Sequence, residues 1–102
     1  MIVVTVKVDW GKETIQEILP ELKEHLEITL QDPGCDDFLF AVDVKNPYIV
    51  VATEVYKDYP AHEDHFKFSQ WEHVSGILEK YPQSSIDVKT CDASETKHAL
   101  DH

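Results

Sequence analysis

Valines stand at every second position between Ile2 and Trp10, and most positions between them are polar. A two-residue period is typical of a strand with one buried face, so we predict a strand over 2–10. Gly11 breaks this pattern. From 12 to 31 the apolar residues instead recur every three or four positions, which predicts a helix with one apolar face. The apolar positions of this helix are Ile15, Ile18, Leu19, Leu22 and Leu26.

Breaks in the apolar pattern mark where the next elements begin. Pro20 lies inside the helical pattern, where we expect a kink or a late first turn. The segment Asp-Pro-Gly at 32–34 ends the helix, because proline and glycine are strong turn residues. Two apolar runs follow at 36–44 and 48–56, and the short turn at 45–47 between them predicts an antiparallel hairpin. In the first of these strands the residues predicted to share one face are Phe38, Phe40, Val42 and Val44.

A second helical region is predicted from 61 to 81, where apolar residues again form a stripe, and Pro82 ends it. Ser69 marks a candidate break inside this region. A last strand is predicted at 85–91, and the polar composition from 93 to 102 predicts a loose tail. The apolar stripe of the helical region consists of Phe66, Val74, Ile77, Leu78 and Tyr81.

The predicted elements follow the order β-α-β-β-α-β. This order is typical of a ferredoxin-like α+β domain, in which a four-stranded antiparallel sheet carries both helices on one face. We assign this domain to residues 1–92. Apolar residues occupy both faces of the first three strands, whereas the helices can cover only one face. A second copy of the same sheet is the simplest cover for the other face, so we predict a homodimer through the sheet faces.

The charge of the chain restricts its partners. The chain holds 20 acidic residues against 9 basic ones, all of them lysine, for a formal net charge of −11. Nucleic acids and anionic membranes attract proteins mainly through lysine and arginine, so we expect neither as a partner. The partners that remain are small molecules and copies of the chain itself.

The cysteines and the lack of targeting signals bear on location. The apolar start of the chain is too short for a signal peptide, and no apolar run approaches the ~20 residues of a membrane span. Cys35 and Cys91 are too few for a disulfide scaffold, and we interpret both as reduced thiols. These features predict a cytoplasmic protein.

The candidate chemistry is concentrated between residues 54 and 73. Glu54 is a single charge in an otherwise apolar strand, where a buried carboxylate needs a partner. His65, near the start of the next helix, is a candidate for that partner. Such a pair could act as a general base, with His65 as the base or hydrogen-bond donor and Glu54 orienting it. A pocket for a flat ligand would be lined by Tyr56, Trp71 and Phe38.

Other interpretations of this cluster remain open. Glu54 could lie at the sheet edge in water, with the histidines forming a solvated helix face. On a continuous helix His62, His65, Ser69 and His73 would share one side, but a break near Ser69 would separate them. The spacing of His62 and His65 would also suit two metal ligands. A zinc site needs at least a third ligand, so we expect no metal.

Two stretches of the sequence resemble the antibiotic biosynthesis monooxygenase family of the dimeric α+β barrel superfamily. The first resembles the turn into the family's second strand and reads Pro33-Gly34-Cys35-x-x-Phe38. The second has glutamate, an aromatic residue, an acidic residue, alanine and histidine at the family's offsets and reads Glu54-x-Tyr56-Lys57-Asp58-x-x-Ala61-x-x-x-His65. The resemblance covers residues 1–92 and implies that two ferredoxin-like domains pair through their sheets.

The resemblance implies an enzyme that acts on a small molecule. Similar proteins bind a planar or carbonyl-rich compound between sheet and helices, and some oxygenate it without metal, flavin or heme, so no cofactor is expected. The leading hypothesis is a cofactor-independent monooxygenase that removes a proton from a small aromatic or quinone-like compound, which then reacts with O2.

Two alternatives accompany this hypothesis. The first is an isomerase or breakdown enzyme for a small carbonyl metabolite of the autoinducer-2-phosphate type, and the second motif resembles that branch most closely. Gln70 and Trp71 stand where that branch usually has a second pair of histidine and aromatic residue. The second alternative is a non-enzymatic dimeric ligand-binding domain.

Overall fold

The computed structural model describes residues 1–65 and 69–93, without the side chains of His65, Ser69 and Gln70. The predicted polar tail at 93–102 lies outside the described residues apart from Ala93. None of the described helices is long and apolar enough to span a membrane. In chain order the elements are β1 Ile2–Asp9, α1 Ile15–Thr29, β2 Cys35–Val42, β3 Ile49–Tyr56, α2 Tyr59–His65, α3 Ser69–Lys80 and β4 Ser85–Asp92.

The four strands form one antiparallel sheet in the order β2-β3-β1-β4. β2 and β3 are neighbours in the chain and pair directly, as the predicted hairpin requires. β1 lies between β3 and β4, so the first strand is central although it comes first in the chain. The fold is therefore the ferredoxin-like α+β fold that the order of elements predicted.

The predicted second helical region, 61–81, consists of two helices. α2 begins at Tyr59, where the carboxylate of Asp58 accepts the backbone N–H of Ala61 at 2.9 Å. α3 begins at Ser69, the residue that marked a candidate break. The second helical layer is therefore divided into two helices. α3 packs beside α1, whereas α2 contacts β3.

The connection from β1 into α1 needs a glycine. Gly11 has φ +81°, a backbone conformation that side chains rarely adopt, and its N–H donates to the Asp9 carboxylate at 2.9 Å. α1 begins at Ile15, so Pro20 lies in its second turn, and the helix continues through this proline to Thr29.

The core forms where the buried faces of β1 and β3 meet the helices. The indole N–H of Trp10, at the end of β1, donates to the carbonyl of Tyr81, just after α3, at 2.9 Å. This buried bond ties the central strand to the last helix. The main cluster of buried apolar residues comprises Val8, Trp10, Ile15, Ile18, Leu22, Val50, Ile77 and Tyr81.

The second strand ends earlier than the sequence predicted. β2 ends at Val42, and Val44, which was expected to share a face of this strand with Phe38 and Phe40, is fully exposed at 100%. The reason is Asp43, whose carboxylate accepts the backbone N–H groups of Lys45 and Asn46 at 2.8 and 2.9 Å and begins the turn early. These two bonds also hold the pKa of Asp43 below its ordinary value.

Apolar side chains also lie on the sheet face that points away from the helices. Val3, Val51 and Val55 are half-buried there, and Leu39 is 43% exposed. Thr53 lies at the middle of this face, because it pairs with both β1 and β2. Each of the first three strands thus carries apolar residues on both faces, as predicted.

Gly34 packs against α2 and should not tolerate a side chain. A Cβ added at Gly34 would lie 3.0 Å from the Ala61 Cβ and 3.3 Å from the Asp32 carboxylate. We expect Gly34→Ala to lower the free energy of unfolding by about 1–3 kcal/mol, the usual cost of overpacking. Urea denaturation followed by circular dichroism measures this change.

Gly76 provides the matched control, because a Cβ added there would meet no atom within 4 Å. On α3 an alanine also favours the helix, so Gly76→Ala should raise the free energy of unfolding by about 0.5–1 kcal/mol. Changes of the same sign and size in the two variants would contradict the close approach at Gly34.

Candidate functional site

A cavity of about 260 Å³ lies between the helices and one face of the sheet. Small-molecule pockets usually measure roughly 300–1,000 Å³, so this one suits a small ligand. Its walls are almost entirely apolar. The sheet side includes Val4, Val6, Phe38, Phe40, Ala52 and Glu54, and the helix side includes Leu22, His25, His62, Trp71, Val74 and Leu78.

Glu54 is the carboxyl group in the sheet wall of this cavity. It is only 9% exposed, and strand pairing places it between Val4 of β1 and Phe38 of β2. The hydroxyl of Tyr56 donates to Glu54 Oε1 at 2.6 Å. The two residues stand two positions apart on β3, and the alternation of side chains along a strand therefore directs both to the same face.

The surroundings of this pair shift both of its pKa values upward. Burial raises the pKa of Glu54, and the hydrogen bond from Tyr56 offsets part of that rise. Burial and the neighbouring carboxylate also raise the pKa of Tyr56, so its hydroxyl keeps its proton and remains a donor. A glutamate with a raised pKa exchanges protons closer to neutral pH, which suits a general acid or base.

The structure brings together three of the residues that the sequence predicted for the site. Phe38, Glu54 and Trp71 line the cavity. Tyr56 is fully buried and supports the Glu54 carboxyl, and it is not among the described lining residues. His65 ends α2, and its side chain lies outside the described residues.

A histidine of α2 lies beside the Glu54–Tyr56 pair. The ring of His62 is centred 5.1 Å from the ring of Tyr56, tilted by 51°, and it lines the cavity. α2 therefore carries an imidazole to the same end of the cavity as the carboxyl group. From the sequence, His62 was a candidate only for the solvated helix face or for a metal ligand beside His65.

α1 places His25 in the cavity wall, a residue that was not among those predicted for the site from the sequence. His25 is 2% exposed, and its Nδ1 lies 3.2 Å from Nδ1 of His73 on α3. The signal was present in the helical period, because His25 follows Leu22 by three positions and Ile18 by seven. The buried stripe of α1 runs through His25 and Thr29.

Cys35 lies near this site but supplies no reactive thiolate. Burial and the nearby carboxylates of Asp32 and Glu54 raise the pKa of its thiol to about 11. Its Sγ donates to the carbonyl of Asp37 at 3.3 Å. A thiol with this pKa remains protonated at neutral pH and is a poor nucleophile.

Within the described residues, no group of three metal-binding side chains lies together.

Comparison with known proteins identifies the family. The model of the antibiotic biosynthesis monooxygenase family matches residues 1–75. The chain therefore belongs to the antibiotic biosynthesis monooxygenase family. No curated protein matches the chain.

Solved structures share the fold along almost the whole chain. A crystal structure of an antibiotic biosynthesis monooxygenase is 26% identical and covers 93% of this chain and 100% of its own, with a TM-score of 0.83. A Deinococcus radiodurans protein, described as a candidate member of the same family, is 17% identical, with coverages of 98% and 99% and a TM-score of 0.87. A conserved Methanosarcina mazei protein is 23% identical, with coverages of 88% and 89% and a TM-score of 0.80.

Glu54→Gln should stabilise the protein relative to wild type as the pH rises. The folded state raises the pKa of Glu54 above its ordinary value of 4.5, so the stability that the protonated carboxyl contributes is present below that value. This stability is lost as the pH rises through the folded-state pKa. The glutamine cannot ionise and keeps an oxygen for the Tyr56 hydroxyl.

Urea denaturation at several pH values between about 4 and 8 measures the difference between the two proteins. We expect the free energy of unfolding of Glu54→Gln to rise relative to that of wild type as the pH increases across this range. Glu24→Gln on the exposed side of α1 is the matched control and should show no such gain. Parallel pH curves for wild type and Glu54→Gln would contradict the raised pKa.

Proposed function

We propose that this protein is a monooxygenase that acts on a small aromatic or quinone-like compound without a bound cofactor. Glu54 carries the proposal, because it is a carboxyl group with a raised pKa in the wall of an apolar cavity. Membership of the antibiotic biosynthesis monooxygenase family supports oxygenation as the class of reaction.

The proposed reaction begins with removal of a proton from the bound compound. A base at the Glu54 end of the cavity takes a proton from an activated C–H group and leaves a carbanion delocalised over the ring system. O2 adds to this carbanion to form a peroxide anion. A proton returns to the peroxide anion, and a base then removes the second hydrogen of the same carbon while the O–O bond breaks and hydroxide leaves, which forms a carbonyl group. That proton and the hydroxide combine to water, so one oxygen atom enters the product and the other leaves as water.

Each residue of the predicted site has a role in this proposal. Glu54 and His65 form the pair that moves the proton, with His65 as base or hydrogen-bond donor and Glu54 orienting it or taking the proton itself. Tyr56 holds the Glu54 carboxyl in place through its 2.6 Å hydrogen bond. The rings of Phe38 and Trp71 provide flat apolar surfaces for the ligand.

The cavity favours an uncharged planar compound over a phosphorylated one. None of the lysines in the described part of the chain lines it. A phosphate group would need cationic side chains or several backbone N–H groups, and it would face the Glu54 carboxyl. This observation favours the monooxygenase over the isomerase of a phosphorylated metabolite.

Oxygen uptake with anthrone or a hydroquinone tests the proposed reaction. Glu54→Gln should lower kcat by about 10²-fold or more, because the substitution removes the proton acceptor while the side chain keeps nearly the same size. His65→Ala should lower kcat to a similar extent if His65 is the base. An oxygen electrode measures both, and Glu24→Gln is the control that should retain the wild-type rate.

Each variant tests one role. A wild-type rate in His65→Ala would remove His65 from the chemistry, and the same result for Glu54→Gln would remove the carboxyl group. Substrate conversion without oxygen uptake would replace the monooxygenase with an isomerase. Saturable binding without conversion of any such compound would leave a ligand-binding domain.

We also propose that the protein is a homodimer through the sheet face that points away from the helices. Val3, Val51 and Val55 give this face apolar side chains, and the half-exposed Leu39 extends it onto β2. A second copy would bury these residues and complete a core that a single small domain leaves open. The net charge of −11 on each copy opposes association, so salt should strengthen the dimer.

Thr53→Lys tests the proposed dimer, because Thr53 lies at the middle of this face. Each copy would then bury a lysine ammonium group in the apolar interface, so we expect the dimer to weaken by at least about tenfold. Sedimentation at micromolar concentration measures the change, with Gln16→Lys at an exposed position of α1 as the control of equal net charge. A monomeric wild type would contradict the proposal.

A further inference from the structure

The strands that form the sheet wall of the cavity expose a polar side chain to it at two positions. The lining residues of β1, β2 and β3 are all apolar apart from Glu54. On β4 the lining residues are Ile86, Val88 and Thr90. These three stand at alternate positions of the strand, so their side chains share the face that points to the helices. Thr90 is therefore the second polar group that the strands present to a ligand.

Strand pairing places Thr90 and Glu54 in one row across the sheet. Thr90 pairs with Val4 of β1, and Val4 pairs in turn with Glu54 of β3. Neighbouring strands lie about 4.8 Å apart, so the backbones of Thr90 and Glu54 are separated by roughly 10 Å. Val4, between them, is buried and lines the cavity. A planar compound of one or two rings resting on Val4 would meet the carboxyl group at one end and the hydroxyl group at the other.

The β4 end of the cavity is open, and the Thr90 hydroxyl is available there. Ile86 and Val88 pair with Val8 and Val6 of β1 and line the cavity with them, yet both remain exposed. Thr90 is exposed as well. Within the described part of the chain, its hydroxyl forms no hydrogen bond. A ligand oxygen that reaches this end can therefore bind Thr90 without breaking a hydrogen bond inside the protein.

We infer that Thr90 is a specificity-determining residue of this cavity, which forms a hydrogen bond with an oxygen at the end of the ligand opposite Glu54. The inference rests on the proposed function for the class of ligand, and it narrows that class to planar compounds with oxygen atoms at both ends. A threonine hydroxyl both donates and accepts hydrogen bonds, so Thr90 can bind a phenol or a carbonyl oxygen. Thr90 takes no part in the proton transfer.

Two naphthalene derivatives that differ by one hydroxyl group test this inference. 2,6-Dihydroxynaphthalene has hydroxyl groups at opposite ends of its ring system, whereas 2-naphthol has only one. That single hydroxyl should bind at the Glu54 end, because hydrogen bonds to a carboxylate are stronger than those to a neutral hydroxyl. We expect wild type to bind the dihydroxy compound about fivefold more tightly, the effect of one ordinary hydrogen bond. Isothermal titration calorimetry on the full chain measures both affinities.

Two substitutions at Thr90 separate its hydroxyl from its shape. Thr90→Val keeps the shape and removes the hydroxyl, so it should abolish the preference for the dihydroxy compound and leave the affinity for 2-naphthol nearly unchanged. Thr90→Ser keeps the hydroxyl and should keep the preference. Thr5→Val makes the same chemical change on β1, next to Val4 and hence on the opposite face of the sheet. This matched control should bind both compounds as wild type does.

NMR on wild type locates the bound compound directly. We expect nuclear Overhauser effects between the Thr90 methyl group and the ring protons of 2,6-dihydroxynaphthalene, because the methyl and hydroxyl groups are attached to the same carbon atom. The methyl signal that disappears in Thr90→Ser assigns Thr90.

Three results would overturn the inference: no preference of wild type for the dihydroxy compound, an unchanged preference in Thr90→Val, or no Overhauser effect at the Thr90 methyl with saturating ligand. The first and third are measured on wild type, so they stand even if a variant fails to fold. None of these measurements requires turnover. Failure of oxygen uptake with a preference that depends on Thr90 would therefore reject the proposed reaction and leave the specificity in place.

Discussion

A carboxyl group buried in an apolar sheet face needs a hydrogen-bond donor, and in this protein the donor is the Tyr56 hydroxyl, 2.6 Å from Glu54. Since the two residues are two positions apart on β3, the strand itself holds them together. Pairing of β3 with its neighbours then places apolar Val4 and Phe38 on either side of the carboxyl. The raised pKa of Glu54 and the proposed proton transfer both depend on this arrangement.

The cavity exists because the helices do not fill the whole face of the sheet. At one end the Trp10–Tyr81 hydrogen bond and the surrounding cluster close the core. Toward β4 the apolar side chains Ile86 and Val88 remain 47% and 57% exposed although they point to the helix side. A small apolar ligand would bury part of this surface and gain roughly 25 cal/mol of binding free energy per Å² of apolar surface removed from water. The hydrophobic effect would therefore drive ligand binding as it stabilises the core.

Much of the fold could be predicted because the signals are local. The two-residue period of the strands and the three-to-four-residue period of α1 identified the elements and their order, and the charge of Glu54 in an apolar strand drew attention to the site. The end of β2 was predicted wrongly, and the reason is local as well. The side chain of Asp43 ends β2 at Val42 by binding the backbone ahead of it, an effect that an apolar period does not register.

The sequence by itself determined the order of elements, the strands with two apolar faces and the isolated carboxyl group at Glu54. Only the tertiary structure decided which side chains meet at the cavity. His25 and His73 are 48 positions apart in the chain and come within 3.2 Å because α1 and α3 pack side by side on the sheet. Periodicity shows which face of a helix is buried, but the neighbour on that face depends on how distant elements pack.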